Sequence, residues 1–276
     1  MAIEHASDLI PADLDLVLRI DLARIRRGLG DGSASEMSEH ALDKARVSGL
    51  MREALKRADT VWLGVRVSDL DTGDRVIAMQ YRQTDGEGAI TKALEPDTIA
   101  WEPQATTREG LSLYVARDKP ARTSTALIAL LGRDQAAFVS PVQAQSVRRL
   151  LRDGPDTQRG QPTPEGLVSI DYRARRLAPA LENRFPSFAA LIAGIDRVRA
   201  VVSLAGAKFE LRGRIHCKTA DAAVKIERFL ATIGEASKAR AELDELLGAL
   251  KLERNDRTLI VRWPVPTSVV LGALEN

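Results

Sequence analysis

Alternating apolar and polar positions recur along the chain and mark strands. From Asp13, the residues Leu14, Leu16 and Leu18 alternate with Asp13, Asp15 and Val17, which predicts a strand entering a core. It runs into Arg24-Ile-Arg-Arg and a loop, Gly28-Leu-Gly-Asp-Gly-Ser. Val47, Leu50, Met51, Ala54, Leu55 and Ala58 follow the spacing of one helical stripe and predict a helix over Ser38–Ala58. Val61, Leu63, Val65 and Val67 alternate again, and Ile77, Met79 and Tyr81 continue after Asp69-Leu-Asp-Thr-Gly-Asp, so the two segments read as a hairpin. Another strand is expected at Leu111, Leu113 and Val115, and a second hairpin at Ala126–Leu131 and Ala136–Val139 around Gly132. A helix over Val142–Arg152 closes this half.

The stretch Asp153–Glu165 is rich in Pro, Gly and polar residues and has no period, so it reads as a linker. The pattern then starts again. Leu167, Val168, Ile170, Asp171, Arg175 and Arg176 parallel Val17, Leu18, Ile20, Asp21, Ile25 and Arg26. A helix carrying Phe188, Leu191, Ile192 and Ile195 follows, then a hairpin of Val198–Leu204 and Lys208–Lys218, then a wholly helical Ala220–Leu250. The two halves end alike. Ala126–Val142 aligns without a gap with Ala249–Val265, both finishing in Pro-Val, and Pro141 and Pro264 should each end a strand by removing an amide donor. The expected organisation is a first α+β repeat over 1–152, a linker over 153–165 and a second repeat over 166–276. The fold class is α+β: two diverged copies of a unit whose antiparallel sheet of about four strands is covered by helices on one face.

Composition supports a globular chain without naming a chemistry. Of 276 residues, 45% are hydrophobic and 28% charged, so there is ample core material and no signature of disorder. The net charge of +2 is too small for bulk attraction to a polyanion, so an anionic partner would need a local patch. One cysteine, Cys217, excludes an intrachain disulfide and a cysteine zinc site. No apolar stretch is long enough to span a bilayer, and the opening Met1-Ala-Ile-Glu-His-Ala is not a leader.

No motif for a cofactor or metal emerges, and none is expected. Gly28-Leu-Gly-Asp-Gly-Ser follows a strand, but Ser33 stands where a dinucleotide loop needs glycine. Asp69, Asp71 and Asp74 resemble part of a calcium loop, yet Gln80 occupies the place of its bidentate glutamate. His5, His40 and His216 form no catalytic spacing. His216 and Cys217 are adjacent on a strand and point to opposite faces unless the strand is broken, and Cys217 reads as a buried small hydrophobe.

One polar face stands out. Lys208, Glu210, Arg212, Arg214, His216 and Lys218 form a positive row broken by one carboxylate. Such a row can meet a phosphate, an anionic headgroup or an acidic partner, or it can be a solvated face whose lysines guard a sheet edge. Arg148, Arg149 and Arg152 near a helix end are explained by the helix dipole. Aromatics total 4% and are not interleaved with either cluster, so the nucleic-acid signal is weak.

The opening Leu9-Ile-Pro-Ala-Asp-Leu-Asp-Leu-Val-Leu-Arg-Ile-Asp-Leu-Ala-Arg-Ile-Arg resembles the start of the mature region in uncharacterised envelope lipoproteins of myxobacteria and related bacteria. That resemblance implies export, with the chain periplasmic or associated with the outer membrane once a leader is removed, and cytoplasmic otherwise. It covers under a tenth of the chain and supplies no functional residue. The favoured expectation is a non-enzymatic binding or interaction protein of the cell envelope, holding an apolar or amphipathic small molecule between its halves or meeting an envelope protein. The rivals are an enzyme whose site converges only in the fold, with Asp21 and Asp171 as candidates, and an anion or nucleic-acid binder using Lys208, Arg212, Arg214, His216 and Lys218.

Overall fold

The computed structural model describes residues 3–29, 49–67, 73–82, 90–92, 101–117, 126–156, 162–173, 179–206, 208–237 and 247–266. The chain is α+β with antiparallel strands throughout, and it divides into two compact units, Met1–Gln161 and Pro162–Asn276.

Unit 1 contains β1 (Leu16–Asp21), α1 (Leu22–Leu29), α2 (Gly49–Arg57), β2 (Ala58–Val65), β3 (Arg75–Tyr81), β4 (Trp101–Gln104), β5 (Leu111–Ala116), β6 (Leu127–Leu131), β7 (Gln135–Val139) and α3 (Ala144–Asp153). Its strands lie in the order β1-β2-β3-β7-β6-β5-β4. Both faces of this sheet are covered, which corrects the expectation of helices on one side. Val76, Ala78, Leu127, Ala129, Ala137 and Val139 face one cluster, completed by Ala6, Leu9 and Ile10 of the opening segment and by Ala144 and Val147 of α3. Their alternates Met79, Tyr81, Ile128, Leu130, Ala136 and Phe138 face a second, which takes Leu50 and Ala54 from α2. The cause is visible in β6: Leu-Ile-Ala-Leu-Leu has no polar position, and all five residues are buried.

Unit 2 contains β8 (Val168–Arg173), α4 (Pro179–Arg184), α5 (Pro186–Ala193), β9 (Ile195–Ala205), β10 (Lys208–Cys217), α6 (Ala220–Ser237), β11 (Lys251–Asn255) and β12 (Thr258–Pro266). The strand order is β8-β9-β10-β12-β11. Its core gathers Cys217, Ala223, Ile226 and Leu259, with Leu191 of α5 and Leu230 of α6 against them. Both helices therefore pack on the sheet face that carries Ile215 and Cys217.

Several boundaries differ from the pattern. The expected helix over Ser38–Ala58 is described only as α2, because Ala58 already pairs with Tyr81 in the sheet; residues 38–48 lie outside the described residues. Gly28 belongs to α1 rather than to a loop, and residues 30–33 of the glycine segment are outside the description. So are residues 69–72 of the aspartate turn; its Gly73 has φ 68°, and Asp74 accepts from Arg66 Nε at 2.6 Å. Strand β4 escaped notice because four residues containing a proline carry no period. Ile195 opens β9 instead of closing a helix. In Ala220–Leu250 the helix ends at Ser237, residues 238–246 are outside the description, and a strand begins at Lys251.

Pro264 does not end a strand. It sits inside β12 opposite Glu210, and β11 reaches only as far as Arg262, so the missing amide donor falls beyond the last β11 rung. The matched hairpins are also not gapless: Leu131 pairs with Gln135 across three residues, whereas Asn255 pairs with Thr258 across two.

The opening segment is pinned tightly to unit 1. Arg66 bridges Asp13 and Asp74, and a Cβ placed on Gly64 would lie 2.5 Å from Ile10 Cγ2 and 2.8 Å from Leu14 Cδ1. Gly64→Ala is expected to cost about 1–3 kcal/mol in urea unfolding, because branched Ile10 cannot swing away. Gly49→Ala, where nothing lies within 4 Å, should leave stability unchanged or raised.

Candidate anion-binding face

Strand β10 is interior, between β9 and β12, so its lysines do not guard an edge. Its even-numbered residues from Lys208 to His216 share the face turned away from α5 and α6, with Lys208, Arg212 and Arg214 exposed. Glu210 is spoken for: Arg212 Nη2 donates to Glu210 Oε2 at 2.8 Å, and this bond above all holds the Glu210 carboxyl below the usual carboxylate range. His216 Nδ1 lies 3.1 Å from Thr258 Oγ1.

Lys218 leaves the row. The register slips between His216 and Cys217, and Lys218 Nζ donates to the Ala193 carbonyl at 2.7 Å, at the C-terminal end of α5. β10 ends at Cys217, so Lys218 lies past the strand and its ammonium serves the helix end. The extra residue of the bulge, Asp196, lies on β9, so alternation along β10 is intact and His216 and Cys217 point to opposite faces. Cys217 packs into the core at 4% exposure, and burial pushes its thiol up, away from the reactive thiolate.

Register extends the face well beyond β10. Opposite Arg214 stands Arg199, and opposite His216 stands Arg197; Arg197 is itself opposite Arg173 of β8. On the other side Arg212 faces Arg262 of β12, and Arg262 faces Lys251 of β11. Arg173, Arg197, Arg199, Lys251 and Arg262 thus join the face, and sequence reasoning missed all five. Arg197 and Arg199 stand two apart, a hint of a shared face, but only pairing brings them beside Arg214.

Among the described residues, the side chains of Lys208, Arg214 and Lys251 make no ion pair or hydrogen bond. Asp171 offsets part of the charge: its carboxylate takes Arg197 Nε at 2.7 Å, accepts a second bond from Arg197 Nη2 and lies 4.0 Å from Arg199. At one end of the face, a cleft of about 580 Å³ is lined by Asp196, Arg214, His216, Asp256, Arg257 and Thr258 among others.

The other candidates do structural work. Asp21 Oδ1 accepts from the Arg24 amide at 2.8 Å, which caps α1, and Oδ2 takes Arg19 Nη2 at 3.0 Å. Asp171 holds Arg197, as above. Arg152 pairs with Asp153. His5 lies at the opening 3₁₀ turn of unit 1, and His40 is outside the described residues. Among the described residues, no three His, Cys, Asp or Glu side chains could hold a metal. No described helix is long and apolar enough to cross a membrane.

No family model matches the chain, and no curated protein matches it. Among solved structures it is similar in fold to TP0453. Crystal form I of that protein gives a TM-score of 0.58 at 8% identity, covering 99% of this chain and 97% of that one. Form III gives 0.58 at 10% identity, over 100% and 99% of the two chains. The likeness concerns the fold alone.

Removing the Asp21 carboxylate tests its structural role. Asp21→Ala is expected to lower unfolding free energy by about 3 kcal/mol, through the lost cap and the buried Arg19 left unpaired, read from urea melts at neutral pH.

Proposed function

We propose that this chain is a binding or interaction protein rather than an enzyme, and that the basic sheet face of unit 2 is its site, with a polyanion as partner. The observation that carries this reading is the set of like charges placed directly opposite one another: Arg173 and Arg197, Arg199 and Arg214, Arg212 and Arg262, Arg262 and Lys251. Such rungs destabilise a sheet, and the row from Lys251 to Arg212 is offset only in part, by Glu210 beside Arg212 and by Glu253, which shares the face two residues from Lys251. A polyanion laid across the strands would turn that repulsion into attraction. The strand positions of this face carry no aromatic residue, which disfavours a single nucleic-acid strand held by stacking. Of the partners expected from the sequence, an anion is the one this chemistry supports; an envelope setting rests on the opening resemblance.

We also propose that the two units are diverged copies. The path β1-β2-β3-β7-β6 of unit 1 and the path β8-β9-β10-β12-β11 of unit 2 have the same order and direction, with helices between the first two strands of each. Asp21 and Asp171, both buried, sit on the first strand of each path. In an experimental structure the two paths should superpose strand for strand with Asp21 on Asp171; a fit that needs one strand reversed would overturn the duplication.

Heparin-agarose serves as the polyanion probe. The chain should be retained at low salt and elute with a steep dependence on ionic strength, and Arg212→Ala with Arg262→Ala should flatten that dependence by about one to two released counterions. The same variant should melt no lower than the parent, since it removes repulsion. Flow-through of the parent at about 50 mM salt, or unchanged retention of the double variant, would sink the reading.

A further inference from the structure

Three local features meet around the cleft at the end of the basic face. A β-bulge on β9 leaves Asp196 without a rung on β10, between Ile195 opposite Cys217 and Arg197 opposite His216. The turn joining β11 to β12 holds Asp256 at φ 51°, a left-handed conformation that glycine adopts without strain. His216 is also fixed: with Nδ1 at Thr258 Oγ1, its Nε2 remains for another partner.

The charges lining the cleft are of two kinds, and they define a ligand. Arg214 has no side-chain ion pair among the described residues, and Arg199 stands directly opposite it. Arg257 lies 3.8 Å from the Asp256 carboxylate, so the turn supplies a guanidinium whose charge is partly matched. Arg214 and His216 together suit a tetrahedral dianion, which a guanidinium meets with two parallel N–H bonds. The exposed carboxylate of Asp196 would repel a bare anion, yet it accepts hydrogen bonds from hydroxyl groups. A volume of about 580 Å³ accommodates a small organic molecule rather than an ion alone.

We propose that this cleft binds a phosphate monoester of a polyol, with the phosphate on Arg214 and His216 Nε2 and a hydroxyl on Asp196. The proposal rests on the reading of the unit 2 face as an anion site. The ligand can come free in solution or as a lipid headgroup of the same chemistry.

The test is an NMR titration of the labelled full chain with glycerol 3-phosphate, inorganic phosphate and glycerol. Glycerol 3-phosphate should shift amides of 214–217 and 255–258, bind about tenfold better than inorganic phosphate and compete with it, while glycerol alone does nothing. Arg214 is exposed, so Arg214→Ala should keep the parent's melting temperature and weaken binding about tenfold or more. Asp196→Ala, which removes both the hydroxyl acceptor and the negative charge, should erase the preference for glycerol 3-phosphate and tighten inorganic phosphate. Shifts spread over the whole face, equal affinity for the two phosphates, or an unchanged preference in Asp196→Ala would overturn the proposal. Vesicles carrying phosphatidylinositol 4-phosphate, whose headgroup is a polyol phosphate monoester, distinguish the sources: displacement by glycerol 3-phosphate points to the headgroup, and no vesicle binding points to the free ester. Heparin retention depends on the row of Arg212 and Arg262, away from the cleft. Loss of the ester with retention intact refutes the cleft alone, whereas loss of both refutes the underlying reading.

Discussion

Register in an antiparallel sheet is a discrete choice, and in unit 2 everything follows from the one made by β10. Side chains alternate with a period of two, so a slip of one residue against β9 would send Arg212 and Arg214 into the cluster of Cys217 and Leu259. Burial of that cluster beneath α5 and α6 opposes any such slip. The same pairing necessarily sets Arg199 beside Arg214 and Arg262 beside Arg212. The core on one face thus enforces the charge array on the other. Repulsion along the rungs is tolerated because the apolar burial behind them is worth more than a few like-charge contacts.

Unit 1 resolves the same strand path differently. Where unit 2 presents arginines, unit 1 presents Ala137 and Val139, buried under the opening segment and α3. That segment is held by the absence of a Cβ at Gly64 and by the Arg66 bridge to Asp13 and Asp74. The Asp74 bond above all keeps Arg66 firmly protonated. A close approach of backbone to side chain and a charged clasp together fix a segment that has no strand partners of its own.

Asp21 and Asp171 illustrate how position in a pattern can mislead about role. Both stand near the end of a strand that precedes a helix, which is where a catalytic carboxylate would be unremarkable. Each is instead consumed by a guanidinium, Arg19 for Asp21 and Arg197 for Asp171, and Asp21 also caps α1. A buried carboxylate with its lone pairs occupied is a fastener.

Several strands were legible from the residues alone. β6 and β7 stand out as apolar runs bounded by turn residues, although in β1 the buried positions are Val17, Arg19 and Asp21 rather than the leucines. β2, β3, β5 and β10 alternate, because burying one face of a strand leaves a local signature. The positive row on β10 was legible for the same reason. Strand β4, the end of α6 near Ser237 and the start of β11 were not, since a short or exposed element has no period to read. Nor did the sequence reveal that both faces of unit 1 are covered, or that Lys218 leaves the row past the end of β10. Above all, the wider basic face was a product of tertiary structure. Arg173, Arg199, Arg214, Arg262 and Lys251 are scattered along the chain, and only hydrogen-bonded pairing between strands, a non-local interaction with no signature in any one strand, brings them together.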